Sequence, residues 1–142
     1  MSHSLFVDSD VVISSLMSST GAAYLLINHT DDIKLFVSNI SQKELEIVAT
    51  RLEVSLSNLK LLLGKRFNFV DLKQTIDEAR KEFKDYVTDD NDAYIVLGAK
   101  EAKVRFLITC NMKDFKIEKI KQDFNIIVMT PGQLIQYLRS LQ

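Results

Sequence analysis

The sequence has very few of the residues that build disulfide-bonded, linker-rich or membrane-spanning proteins. Its 142 residues include one cysteine, one proline, four glycines and no tryptophan. A single cysteine, Cys110, excludes an intramolecular disulfide and a cysteine-rich zinc site, and we expect its side chain to pack near the sheet. The scarcity of proline and glycine argues against long irregular linkers. The apolar runs are far shorter than the roughly 20 residues that span a bilayer.

The sequence also lacks an excess of positive charge. It contains 18 Lys and Arg against 19 Asp and Glu, and its formal net charge is -1. A dedicated nucleic-acid-binding protein usually has a clear positive excess. A cluster of acids that recruits divalent cations would, however, hide a basic surface in this sum. The N-terminus has no basic stretch followed by a long apolar run, so we expect no signal peptide and a cytoplasmic location.

Short apolar runs alternate with helical patterns along the chain. Strands are predicted over residues 5–7, 33–38, 68–71, 106–109 and 126–129. Helices are predicted over residues 10–17, 22–28, 45–52, 56–63 and 72–86, from residue 93, and from Pro131 onward. Ser41 and Glu44 have the S-x-x-E spacing of a capping box. The alternation predicts a single α/β domain over residues 1–142, a three-layer α/β/α sandwich around a mainly parallel sheet.

Acidic residues follow the predicted strands in a regular order. Asp8 ends the first strand, Glu44 lies early in the helix after the second strand, and Asp92 precedes an apolar helix. Asp114 follows the strand that ends at Thr109. Ligands of open parallel sheets bind beyond the carboxyl ends of the strands, so these positions predict a site. Several carboxylates without a Cys or His cluster favour Mg²⁺ or Mn²⁺ over Zn²⁺.

Each acid also has a purely structural interpretation. Asp8 can cap the helix after the first strand, and Glu44 can complete the capping box. Asp89 and Asp90 fit acids that cap a helix and complement its dipole. Asp114, taken alone, is an ordinary loop acid. The prediction of a site therefore depends on the order of the acids along the chain and not on any one of them.

Four segments of the sequence resemble the PIN-domain family, the fold of VapC-type toxins and related RNases. The segment LFVDSDVVISSL resembles the opening strand and first motif of the family, and SNISQKELEIV is similar to the segment that holds the family's glutamate. The segment TDDNDAYIVLGAKEAKVRFLITCNMKDF resembles the acid-rich turn, helix and T-x-N-x-x-D stretch. The segment NIIVMTPGQLIQYL is similar to the closing strand and helix of a longer bacterial and archaeal branch. The resemblance covers nearly the whole chain.

The resemblance implies a metal-dependent endoribonuclease that hydrolyses single-stranded RNA and leaves 5′-phosphate and 3′-hydroxyl ends. It implies that Mg²⁺ or Mn²⁺ is held by four catalytic carboxylates, which are Asp8, Glu44, Asp92 and Asp114. The side chains that would orient these carboxylates or water are Ser9, Asp10, Thr109 and Asn111. The resemblance also implies a homodimer, a cognate antitoxin partner and no contact with a membrane. The basic side chains that could contact RNA are Lys43, Arg51, Lys60, Lys65, Arg66, Lys113, Lys116, Lys119 and Lys121, although a solvated surface explains them as well.

Two positions depart from the family pattern. The family usually has Asn where this chain has Asp10, and many relatives have Asp where this chain has Asn111. Our hypothesis is that the two side chains face each other and that carboxylate and amide have changed places. The fourth carboxylate is then either Asp114 or Asp10. The alternatives to an active nuclease are a catalytically silent PIN-fold scaffold, an Mg²⁺-binding receiver domain and a haloacid-dehalogenase-like phosphatase.

Overall fold

The computed structural model describes residues 2–142, which form a central sheet and eight α-helices. The strands are β1 (His3–Val7), β2 (Ile33–Ser38), β3 (Phe67–Val70), β4 (Phe106–Ile108) and β5 (Ile127–Met129). The helices are α1 (Ser9–Met17), α2 (Ala22–Asn28), α3 (Asn39–Arg51), α4 (Leu56–Arg66), α5 (Ile76–Phe83), α6 (Ala93–Glu101), α7 (Ile117–Phe124) and α8 (Pro131–Ser140). Short 3₁₀ turns cover Lys84–Tyr86, Asp90–Asp92 and Met112–Asp114.

The sheet is parallel throughout and has the strand order β3-β2-β1-β4-β5. Leu5 in the central strand β1 pairs with Leu35 of β2 on one side and with Phe106 of β4 on the other. The chain therefore builds the sheet outward from β1 in one direction and then returns to add β4 and β5 on the opposite side. This change of direction opens a crevice between the carboxyl ends of β1 and β4.

Side chains that alternate along the strands separate the core into two halves. Leu5 and Val7 of β1 pack against α1, α2, α3, α4 and α8, whereas Phe6 points to α5, α6 and α7. All three side chains are fully buried. A strand that is buried on both faces reads as a continuous apolar run, which is how these short strands were detectable in the sequence. The predicted three-layer α/β/α sandwich with a parallel sheet is confirmed.

Helix α6 lies closest to β1 and sets the position of the acids that precede it. Its residues from Ala93 to Ala99 are all buried, as expected for a helix that is apolar all round. At Gly98 a Cβ atom would lie 2.3 Å from Cζ of Phe6. Only glycine permits this approach of helix and strand, so the start of α6 is held over the end of β1.

Two predicted helix starts were wrong, and both errors concern capping boxes. The side chain of Ser38 caps α3 by accepting a hydrogen bond from the backbone N–H of Ser41, so Ser41 lies inside the helix and forms no box with Glu44. Helix α5 begins at Ile76 rather than at residue 72, because Thr75 and Glu78 form a capping box there. The carboxylate of Glu44 is therefore free of the structural role that competed with a functional one.

Among residues 2–142, no single helix is long and apolar enough to cross a bilayer. Helices α1 and α2 reach those limits only when taken together, and they are bent by 97° at the break between them.

Candidate functional site

The predicted site lies in the crevice between β1 and β4. Asp8 directly follows β1, and its backbone N–H donates to the carbonyl of Ile108 at the end of β4 (2.9 Å). Thr109 follows β4, and its backbone N–H donates to the carbonyl of Met129 in β5 (3.0 Å). These bonds extend the ladder of the sheet by one residue, so the side chains of Asp8 and Thr109 start from rigid backbone.

The hydroxyl of Thr109 joins the two sides of the crevice. It is fully buried, and it donates to Oδ2 of Asp8 at 2.9 Å. Its oxygen accepts from the backbone N–H of Asn111 at 3.1 Å. The other oxygen of Asp8, Oδ1, accepts from the backbone N–H of Ser9 at 2.7 Å, which caps α1. Asp8 therefore caps α1 and also faces the candidate site. Hydrogen bonds to both of its carboxylate oxygens fix the orientation of the side chain.

Asp10 faces the loop after β4 through two contacts. Its Oδ1 accepts from the backbone N–H of Cys110 at 3.3 Å, and its Oδ2 lies 3.5 Å from the hydroxyl of Thr109. The hypothesis that Asp10 and Asn111 face each other stays a prediction; Asn111 is exposed, and its backbone N–H donates to the hydroxyl of Thr109. The prediction for Cys110 was wrong, since this residue is exposed.

Asp92 and Asp114 approach the same region from the other side. Asp92 ends the 3₁₀ turn before α6, and the charges of Asp114, Asp89 and Asp10 all raise the pKa of its carboxyl group. The turn itself is held by Arg80, which donates to the side chain of Asn91 at 2.7 Å. These charge effects indicate that Asp92 shares one region of the molecule with Asp114, Asp89 and Asp10. That these acids act together at a site stays a prediction.

Glu44 lies at the edge of this cluster. Its residue is half-buried in α3, and its charge, together with those of Asp8 and Asp92, raises the pKa of the Tyr94 hydroxyl. Burial is the largest cause of that increase.

Sequence reasoning missed Tyr94. Its side chain is 7% exposed, and its hydroxyl lies 3.4 Å from Oγ of Ser9, within the group of acids. A signal for it was present: Tyr94 is the one residue of α6 before Ala99 that combines a large buried ring with a hydroxyl group. A buried tyrosine hydroxyl needs a hydrogen-bond partner. A tyrosine two residues after a candidate site acid therefore indicates a polar group at that site.

The pKa values describe an electrostatically unfavourable cluster. Burial, reinforced by the charges of Asp10 and Asp92, raises the pKa of Asp8 to about 8. Burial and the charges of Asp114, Asp89 and Asp10 raise the pKa of Asp92 to about 6. The pKa of Asp10 is also raised, mainly by burial and against the effect of its hydrogen bond from Cys110. Each carboxylate is therefore costly to ionise beside the others.

No basic side chain relieves this cost in the part of the chain that the structure describes. The ion pairs found over residues 2–142 are Lys73–Asp71 and Arg80–Asp77, both at 2.7 Å, and neither includes an acid of the crevice. The same residues contain no group of three or more His, Cys, Asp or Glu side chains that could hold a metal ion between them. The donors are oxygen atoms, which fit Mg²⁺ or Mn²⁺ bound through one or two direct carboxylates, with water completing the coordination sphere.

The parallel sheet, with acidic side chains near the carboxyl ends of β1 and β4, defines an α/β protein whose candidate site lies where the strand order changes direction. Residues 5–136 match the family model of the PIN domain, so the chain belongs to the PIN-domain family. Family membership favours the nuclease interpretation over the receiver and phosphatase alternatives. No curated protein matches the chain.

Two solved structures share this fold. One is the crystal structure of VapBC2 from Rickettsia felis bound to a DNA fragment from their promoter, with a TM-score of 0.58 and 18% identity over 89% of this chain and 98% of that chain. The other is a toxin-antitoxin complex from Klebsiella pneumoniae, with a TM-score of 0.59 and 23% identity over 89% of this chain and 97% of that chain. At these identities the likeness establishes the fold.

Proposed function

We propose that this protein is a metal-dependent endoribonuclease that hydrolyses phosphodiester bonds of single-stranded RNA. The observation that carries the proposal is the group of mutually repelling carboxylates at the carboxyl ends of β1 and β4, with no basic side chain to balance them over residues 2–142. A protein keeps such a group when a cation that is not part of the chain offsets the repulsion. Membership in the PIN-domain family supports nuclease chemistry at this position.

The proposed ligands of Mg²⁺ or Mn²⁺ are Asp8, Glu44, Asp92 and Asp114, some of them acting through water. When bound, the cation would lower the pKa of a water nucleophile and stabilise the charge that develops on the phosphate. The remaining roles belong to the side chains of the crevice. Thr109 orients Asp8 through the 2.9 Å hydrogen bond.

Two acids, Asp114 and Asp10, are candidates for the fourth carboxylate ligand. Asp114 and Asp10 both act on the pKa of Asp92, so both lie near the proposed cation. Asp10 already accepts a hydrogen bond from the Cys110 N–H, whereas its other oxygen is shared with Thr109 at a longer distance. We assign Asp114 as the ligand and Asp10, with Ser9 and Asn111, as a group that orients ligands and water.

We further propose that the protein is the toxin of a toxin-antitoxin pair and acts as a cytoplasmic homodimer. The support is the shared fold: one matching structure is described as VapBC2 and the other as a toxin-antitoxin complex. A cognate antitoxin would then be the protein partner, and RNA would be the substrate.

A second candidate function is a PIN-fold scaffold that binds RNA or protein without cleaving it. Two observations favour it: Asn111 stands where many relatives have Asp, and residues 2–142 contain no group of three or more His, Cys, Asp or Glu side chains that could hold a metal ion. Fold alone does not establish activity. The two candidates differ in one measurable property, which is divalent-metal-dependent cleavage.

The test is cleavage of an end-labelled, mixed-sequence single-stranded RNA with Mn²⁺, Mg²⁺ or EDTA. We expect cutting with the metals, none with EDTA, and none with Asp92→Asn, whose fold should persist because the substitution keeps the shape of the side chain. The matched control is Asp90→Asn, which removes the same charge at an exposed position of the same turn and should leave activity intact. Full activity of Asp92→Asn would refute the site. Cutting by neither protein, together with Mn²⁺ binding by calorimetry that Asp92→Asn does not alter, would favour the scaffold.

A further inference from the structure

We propose that a basic groove at the opposite end of the sheet is a second binding surface for single-stranded RNA. We define the basic groove by Lys100, Lys103, Arg105, Phe124, Asn125 and Ser4, which line a depression of about 470 Å³. It lies at the amino ends of β1, β4 and β5, whereas the carboxylates lie at the carboxyl ends. The proposal rests on the proposed function for the identity of its ligand, although the binding itself does not require catalysis.

The three cations of the groove are exposed and free of acidic partners. Lys100, Lys103 and Arg105 all have exposed side chains, and neither of the ion pairs found over residues 2–142 includes them. Three unbalanced positive charges around one depression attract a polyanion. Phosphodiester groups are such a polyanion, and their contacts with Lys and Arg supply most of the affinity for a single strand.

Helix dipoles explain only part of this arrangement. Lys100 lies in the last turn of α6, where a cation complements the negative end of the helix. Arg105 lies outside the helix, immediately before β4. Its backbone is fixed on both sides, because its N–H donates to Oγ of Ser4 at 3.0 Å and its carbonyl accepts from the N–H of Ile127 at 2.9 Å. A rigid backbone that presents an exposed guanidinium group suits recognition of phosphate.

Aromatic rings continue the groove and point to a single strand rather than a duplex. The ammonium group of Lys100 lies 5.6 Å from the ring centre of Phe83 and 5.7 Å from that of Phe124. The ring of Phe124 is 4.8 Å from that of Tyr86, over which Lys119 lies at 4.7 Å. Phe83 is buried, whereas Phe124 and Tyr86 are partly exposed and offer stacking surfaces for unpaired bases, which a duplex does not present.

The Tyr86 side of this surface contains two acids, Asp123 and Asp85, and the first of them is engaged locally. The hydroxyl of Tyr86 donates to Oδ2 of Asp123 at 2.6 Å, and this contact is the largest cause of the raised pKa of Tyr86, about 12. The phosphate contacts therefore belong to the three cations of the groove, and the stacking surface to Phe124.

The position of the groove explains how it would serve cleavage. Strand β1 has five residues and spans about 17 Å, so a strand of a few nucleotides passing along the molecular surface can touch both ends of the sheet. RNA held at the basic groove would be kept near the crevice without adding its own negative charge to the acids there. Hairpins and duplex regions would bind less well because their bases are already stacked.

The experiment measures binding in EDTA, so that the RNA stays intact. A fluorescently labelled single-stranded RNA is titrated with the full chain, with Lys103→Glu/Arg105→Glu, and with the control Lys81→Glu/Arg139→Glu. The control reverses one lysine and one arginine at exposed positions of α5 and α8. We expect the groove variant to bind about tenfold or more weakly than the control at low salt. We also expect the slope of log affinity against log salt to fall in magnitude by about 1.4, the value for two lost phosphate contacts on a single strand.

The outcomes separate this proposal from the proposed function. Equal affinity and equal salt slope for the groove variant and the control would overturn the groove, even if the wild type cleaves RNA. Weakened binding by the groove variant would support the groove, even if no cleavage is found. A duplex of the same length that binds as tightly as the single strand would overturn the preference for unpaired bases, as would unchanged single-strand affinity in Phe124→Leu. Circular dichroism of each variant checks that the fold is retained.

Discussion

The carboxyl group of Asp8 should make the protein less stable as the pH rises, when divalent metal is absent. Its pKa is about 8 in the folded protein against an ordinary 3.8. The folded state therefore binds more protons at this group than the unfolded state does between those values. The free energy of unfolding then decreases with pH from about pH 4 to about pH 8. Replacing Asp8 with Asn removes the ionisable group and should remove this part of the pH dependence.

The size of the effect follows from the shift. A pKa difference from 3.8 to about 8 corresponds to a ceiling of about 6 kcal/mol above pH 8. Asp8 keeps some solvent contact and Asp10 takes up part of the repulsion, so we expect Asp8→Asn to stabilise the protein by about 2 kcal/mol at pH 8. For a domain of this size that is roughly 8 °C in Tm.

The structure allows asparagine to keep the local hydrogen bonds. Its oxygen can accept from the N–H of Ser9, as Oδ1 of Asp8 does at 2.7 Å. Its amide group can donate to the hydroxyl oxygen of Thr109, and that hydroxyl can turn toward Oδ2 of Asp10, which lies 3.5 Å away. The substitution therefore removes a charge without leaving a buried group unsatisfied.

The assay is urea unfolding in EDTA at several pH values between 5 and 8.5. We expect the stability advantage of Asp8→Asn to grow with pH, and we expect Mn²⁺ to stabilise the wild type more than the variant. Asp31→Asn, in the exposed loop before β2, removes the same formal charge and is the control. A variant that is no more stable than the wild type at pH 8 in EDTA would refute the electrostatic account of the crevice.

The remaining predictions test packing and the assignment of the site. Gly98→Ala should destabilise the protein by about 1–3 kcal/mol in urea, because its Cβ would lie 2.3 Å from a fully buried ring of β1. Gly64→Ala, with no atom within 4 Å of its added Cβ, should instead stabilise α4 by about 1 kcal/mol. Tyr94→Phe should slow RNA cleavage about fivefold without lowering Tm, the loss expected from one hydrogen bond; unchanged cleavage would remove Tyr94 from the site. Calorimetric titration with Mn²⁺ should show weaker binding by Asp114→Asn than by Asp10→Asn, and unchanged affinity in both would exclude either as the fourth ligand.

The fold was predictable because the strands are short, contain mainly apolar residues and are each followed by a polar residue. The run Leu5-Phe6-Val7 is buried on both faces, which gives an unbroken apolar signal that ends at Asp8. Because these strands are parallel, their carboxyl ends all lie at the same edge of the sheet. The order of the acids in the sequence therefore predicts that they lie toward one edge of the sheet.

The contacts within the cluster were not predictable in the same way. The S-x-x-E spacing of Ser41 and Glu44 fits a capping box, but the same spacing also occurs inside a helix, and the cap is Ser38 three residues earlier. Which backbone N–H meets Asp10 depends on how the loop after β4 turns, and no local pattern encodes that Cys110 supplies it. Local propensity locates elements along the chain, whereas side-chain partners depend on the packed loops between them.

Net charge gave the least guidance, and the structure explains why. The value of -1 is the sum over the whole chain, and it includes acids at the carboxyl ends of the strands and cations such as Lys103 and Arg105 at the amino ends. The two groups are separated by the length of the sheet, which exceeds the screening length of about 8 Å at physiological salt, so neither cancels the field that the other presents to a ligand. A near-neutral chain can therefore offer one surface to a divalent cation and another to phosphate. The positions of the charges at the two ends of the strands therefore indicate which ligands the protein attracts, whereas the net charge does not.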